Sequence, residues 1–130
     1  MKLYFTVICC FLFIVNATSQ TVKEIQAKDA FELVVSRDTA NTILIDGRSF
    51  EMFAEKHIAG AINIDAFQDS ITLDLKSFLK VKEIIVYCSN RKRAELIVEK
   101  LKELNYSGDI VFISDGINGW IAAGFEIVEK

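Results

Sequence analysis

Ile84-Ile85-Val86-Tyr87-Cys88-Ser89-Asn90-Arg91-Lys92-Arg93-Ala94 holds an apolar run, a polar loop and the start of an amphipathic repeat. The run is rich in β-branched residues and does not alternate with polar ones, which predicts a parallel strand covered on both faces. After the loop, Ala94, Ile97, Val98, Leu101 and Leu104 recur at spacings of three and four. That stripe predicts a helix from Arg93 to Leu104 whose apolar side lies on a sheet.

Working outward, Thr42 to Ile45, Ala61 to Ile64 and Ile110 to Ile113 read as further strands, with Val22 to Ile25 as a short additional one. Ala27 to Val35, Phe50 to Glu55, Ser70 to Leu79 and Ile117 to Ala122 give weaker helical patterns. Strands alternating with helices predict an α/β fold: a central, mainly parallel sheet of about five strands with helices on both faces. Ligand sites in such sheets lie beyond the carboxyl ends of the strands. That rule points to the loop that Cys88 opens.

The 130 residues are 52% hydrophobic and 25% charged, a globular balance with room for one domain. Proline is absent, so no Pro-rich hinge divides the chain. A formal charge of −3 leaves no basic surplus to neutralise phosphates, and no nucleic-acid partner is expected.

Residues 1–19 have the order of a secretory leader. Lys2 is followed by a mostly apolar run from Leu3 to Val15 and then by small and polar residues, with Ala17 and Ser19 placed for cleavage before Gln20. The run is shorter than the roughly 20 residues of a membrane-spanning helix. The expected organisation is a signal peptide over 1–19 and one domain over 20–130, periplasmic or secreted, with membrane contact only if the leader is retained. Cleavage also removes Cys9 and Cys10.

Cys88 is then a lone thiol in an oxidising compartment, either inert and buried or reactive. Arg91, Lys92 and Arg93 and the unpaired N–H groups of a helix start favour its thiolate over its thiol. They make Cys88 the candidate nucleophile, with Ser89, Asn90, Arg91, Lys92 and Arg93 as the candidate substrate-binding residues. Arg93 begins the helix, while Lys92 is expected to point outward. One His and a single remaining Cys cannot form the usual clustered zinc site, so no metal and no cofactor are expected.

The chain resembles the rhodanese-like sulfurtransferase family over most of 22–128. Asp46-Gly47-Arg48 is similar to the family's Asp-x-Arg segment, and His57-Ile58-Ala59-Gly60-Ala61-Ile62-Asn63 to its His-Ile-Pro-Gly-Ala-x-Asn stretch. Tyr87-Cys88 with Arg93 resembles its active-site loop, and Asp115-Gly116 with Trp120 and Gly124 its C-terminal end. The Cys-x4-Arg spacing resembles the sulfurtransferase loop; related phosphatases use a loop one residue longer. The resemblance implies transfer of sulfane sulfur from a thiosulfate- or polysulfide-type donor, through a Cys88 persulfide, to a thiol, cyanide or protein-thiol acceptor. The alternative is a catalytically weak sulfur carrier or interaction module.

Arg91 stands where the family commonly has Gly, which predicts a loop that is bent differently or strained, or an extra anion-binding charge. Lys56, Ala59 and Asp115 replace a Gly, a Pro and a Gly in turns. Asp46 and Arg48 are second-tier candidates that either pair with each other or face the loop. His57 reads as a structural turn residue and Trp120 as packing. Asn105-Tyr106-Ser107 fits a glycosylation acceptor pattern.

Overall fold

Five strands pair side by side in a computed structural model that describes residues 20–130. The strands are β1 (Val22–Ile25), β2 (Thr42–Asp46), β4 (Ile62–Asn63), β5 (Glu83–Tyr87) and β6 (Asp109–Ile113), in the order β1-β6-β5-β2-β4. Every pairing in this sheet is parallel. The proposed signal peptide lies outside the described residues.

The unbroken apolar character of the central strands follows from what covers them. Successive side chains point to opposite faces, so Ile84 and Val86 meet one layer while Ile85 and Tyr87 meet the other. The first layer is α3 (Ile71–Lys76) and α4 (Lys92–Glu103), which place Ile71, Leu75, Ala94, Ile97 and Leu101 against the sheet. The second is α1 (Ala27–Val35) and α5 (Gly116–Ala122), which bring Ala30, Val34, Ile117 and Trp120. Fully burying each large side chain of these layers contributes about 1.5–3 kcal/mol.

The remaining elements stand at the margin. Helix α2 (Phe50–Glu55) buries no residue, and its N-cap Ser49 accepts a hydrogen bond from the Met52 N–H. β3 (Lys56–His57) pairs antiparallel with β7 (Val128–Glu129) in a ribbon that the sequence patterns do not signal. The expected strand from Ala61 to Ile64 is reduced to Ile62–Asn63. The Asn63 side chain bonds the carbonyls of Asp46 and Arg48, and the Ile64 N–H bonds that of Asp46. The helix expected from Ser70 to Leu79 stops at Lys76, and turns bonded through Leu75 and Phe78 carry the chain onward.

Candidate active site at the Cys88 loop

Cys88 follows the last residue of β5, at the carboxyl end of the sheet. It is 2% exposed and helps line a cleft of about 300 Å³ with Phe67, Ser89, Asn90, Lys92 and Arg93. Five residues of one βα unit and one side chain from the segment after β4 therefore build the cleft.

The N-terminus of α5 sets the shape of the loop. The N–H of Ile117 donates to the Cys88 carbonyl at 2.8 Å and that of Asn118 to the Ser89 carbonyl at 3.1 Å. In a planar trans peptide the following N–H points opposite to the carbonyl, so the N–H groups of Ser89 and Asn90 face away from α5. Gly116, with φ +57°, makes this approach feasible. A Cβ there would collide with the carbonyls of Cys88 and Ser89.

Arg93 stands over the cleft between two supports. Its Nη1 lies 3.2 Å from Met52 Sδ, and its Cζ lies 4.6 Å from the centre of the Phe67 ring. Lys92 borders the cleft and is exposed, as expected of a side chain that points outward. No carboxylate is among the residues lining it.

Arg91 departs from the expectation that placed it on substrate. Its guanidinium makes a two-pronged ion pair with Glu24 of β1, with Nη2 to Oε2 at 3.0 Å, and its Nε bonds Glu95 one turn along α4. Its Cζ lies 5.0 Å from the Phe112 ring centre, and it is not among the residues lining the Cys88 cleft. These hydrogen bonds to Glu24 and Glu95 hold its pKa above the ordinary guanidinium value, Glu24 foremost and against a burial cost. Arg91 has φ −133° and ψ −54°, so the position does not use the left-handed conformation a Gly would serve, and among the described residues Asn105 is the one non-Gly residue with positive φ.

Asp46 and Arg48 pair with each other. The carboxylate is fully buried and Arg48 is 2% exposed. Arg48 donates from Nε at 3.0 Å and Nη2 at 2.8 Å to the two oxygens, while Nη2 also reaches the Lys56 carbonyl at 2.6 Å. Burial opposes the charge on Arg48, and the bonds and charge of Asp46 outweigh it, so its pKa is held above the ordinary value. The pair locks the β2–α2 turn beside the site. Tyr87 sits in the same buried layer, its hydroxyl accepting from the Ile58 N–H at 3.0 Å. Burial first, and then Asp46, push its phenol pKa well up.

His57 stacks on Phe53 with ring centres 4.0 Å apart and bonds the Phe53 carbonyl through Nδ1 at 2.9 Å. Trp120 is buried and donates to the Glu126 carbonyl. Both are structural, as read from the sequence. Asp115 also acts structurally, since its side chain accepts the Ala27 N–H at 2.7 Å and ties α5 to α1. Asn105, the exposed first residue of the glycosylation pattern, adopts φ 56° just after α4, a conformation Asn tolerates at helix ends.

Sequence reading missed Met52 and Phe67, which approach the cleft from other parts of the chain and share no periodicity with the loop. It also missed the contact made by the amides of α5, although Gly116 had been singled out within the C-terminal motif.

The family model of the rhodanese-like domain matches residues 29–123. Among solved structures, a rhodanese-related protein from Thermoplasma volcanium is 26% identical, with 83% of this chain and 99% of that one covered at a TM-score of 0.68. A rhodanese-like domain protein from Staphylococcus aureus is 24% identical, with 83% and 98% covered and a TM-score of 0.65. A thiosulfate sulfurtransferase from Pseudomonas aeruginosa shares the fold at 19% identity and a TM-score of 0.67, over 83% of this chain and 20% of that protein. Among curated proteins, no sequence matches the chain.

Proposed function

This chain belongs to the rhodanese-like domain family, and from that premise we propose that it is an exported single-domain sulfurtransferase working through a Cys88 persulfide. One observation carries the reading: a thiol at the carboxyl end of the central strand, in a short Cys-x4-Arg loop, beside a cleft lined by Lys92 and Arg93 and no carboxylate.

The proposed donor is an anion with a sulfane sulfur, such as thiosulfate. Lys92 and Arg93 attract and orient it by charge, which favours an anionic donor over a neutral one. The Cys88 thiolate attacks the outer sulfur, a new S–S bond forms, and the old bond breaks with its electron pair leaving on sulfite. The terminal sulfur of the persulfide then carries the negative charge. N–H groups of the loop and of the first turn of α4, with the two cations, stabilise that charge as a helix start stabilises other anions. A thiolate or cyanide takes the terminal sulfur, and Cys88 returns as thiolate. The cysteine ends each cycle unchanged, so this scheme calls on no metal or cofactor.

Thiocyanate formation from thiosulfate and cyanide tests the reading. Activity in the wild type and its loss in a folded Cys88→Ser variant are expected. Hydrolysis of aryl phosphates through Cys88 instead would overturn the loop-length argument. Export is tested by the N-terminus of protein recovered from the native cell: a start near Gln20 outside the cytoplasm is expected, and an intact Met1 chain in the cytoplasm would defeat it.

A further inference from the structure

Arg91 is the last residue before α4 and three positions after Cys88, yet its side chain lies away from the cleft and reaches residues of three elements, β1, β6 and α4. In the sheet, Glu24 of β1 is the register partner of Phe112 of β6. The guanidinium lies near the Phe112 ring, 5.0 Å from its centre, takes Glu24 with both terminal nitrogens, and bonds Glu95 of α4 through Nε. The far end of the loop is therefore tied to the edge strand, while its near end is tied through the Cys88 and Ser89 carbonyls to α5. Asn90 is the exposed apex between the two ties.

We propose that Arg91 is a positioning residue, which clamps the Cys88 loop through Glu24, Glu95 and Phe112 and holds its N–H groups in register with the thiol. The effect on turnover rests on the sulfur-transfer reading above; the effect on the loop does not. Exposed ion pairs contribute little as isolated contacts. This one is two-pronged, shared by a second carboxylate and set beside an aromatic face, which are the features that make surface pairs matter. Arg91 sits between two carboxylates, so its charge is compensated. Attraction of an anionic donor is left to Lys92 and Arg93, and loss of the clamp should appear in kcat more than in KM.

The test compares Arg91→Gln, Arg91→Lys, Glu24→Gln and the Arg91→Gln/Glu24→Gln double variant in two assays. These are steady-state kinetics with thiosulfate and the rate of Cys88 alkylation by iodoacetamide. Arg91→Gln is expected to lower kcat roughly five-fold with KM changed less than about two-fold. It should also speed alkylation by a similar factor, since a thiol 2% exposed is reached when the loop opens. Glu24→Gln should move both readouts the same way by less, Arg91→Lys should recover part of the loss, and the double variant should be no worse than Arg91→Gln. A rise in KM at constant kcat would overturn the proposal by making Arg91 a donor-binding residue. Unchanged alkylation rates in a folded Arg91→Gln would overturn it as well. If the wild type transfers no sulfur, the sulfur-transfer reading fails by itself, and the alkylation rates still decide for or against the clamp.

Discussion

Replacing Gly116 by Ala should damage the site out of proportion to its single methyl group. The residue has φ +57°, and a Cβ there would meet the Cys88 and Ser89 carbonyl oxygens, backbone atoms that cannot swing aside. The left-handed conformation alone costs a non-Gly residue about 1–2 kcal/mol. Relief of the collision must come from moving α5 or the loop, and overpacking of this kind costs about 1–3 kcal/mol more. Either movement stretches the bonds from Ile117 and Asn118 that orient the loop. A displacement near 1 Å at reacting groups lowers rates by about a hundred-fold. Gly124 supplies the control: it has φ +84° but nothing within 4 Å of its would-be Cβ, so Gly124→Ala should lose only the conformational 1–2 kcal/mol, approximately. Chemical denaturation and sulfur-transfer kinetics on both variants decide the matter. Equal stability losses, or a folded Gly116→Ala that turns over at the wild-type rate, would refute the reasoning.

Three further outcomes are expected. Arg93→Ala should reduce kcat/KM for thiosulfate about ten-fold or more, and Lys92→Ala by less, because Arg93 is held over the cleft by Met52 and Phe67 while Lys92 is exposed; equal losses at matched stability would show that only summed charge matters. Tyr87→Phe should destabilise by about 1–3 kcal/mol in denaturant titration, since it leaves the Ile58 N–H unpaired in a buried place. Glu24 accepts hydrogen bonds from Arg91, which hold its carboxyl below the ordinary value of 4.5 against an opposing burial cost. The folded state then binds fewer protons there, so this contribution is fully present above the ordinary value and is lost as pH falls below it. Glu24→Gln should accordingly flatten the acid limb of the stability profile.

The β5 strand and α4 helix were legible because a buried parallel strand and an amphipathic helix leave different periods in the sequence. The two-residue ribbon of Lys56–His57 and Val128–Glu129 was not, because two residues carry no period and the partners are far apart in the chain. The short reach of β4 was hidden for another reason: the Asn63 side chain and the Ile64 N–H bond the β2–α2 turn, and apolar patterning does not report such bonds. At the site, Cys88 and Arg93 followed from local order. The direction taken by Arg91 did not, since it depends on Glu24 of a distant strand, and the grip of α5 on the loop carbonyls did not either; neither is encoded near the loop. Arg91 looked like a substrate cation because three charges stand in a row; the fold separates them by facing one toward the edge strand.

The fate of Cys88 with a sulfane donor decides for or against sulfur transfer. Intact-mass spectrometry of the reduced protein after exposure to thiosulfate should show a gain of one sulfur, about 32 Da, absent from Cys88→Ser and reversed by cyanide. No such gain with thiosulfate or polysulfide, in protein whose Cys88 is reduced and open to alkylation, would contradict the persulfide mechanism and leave the carrier reading without its cargo.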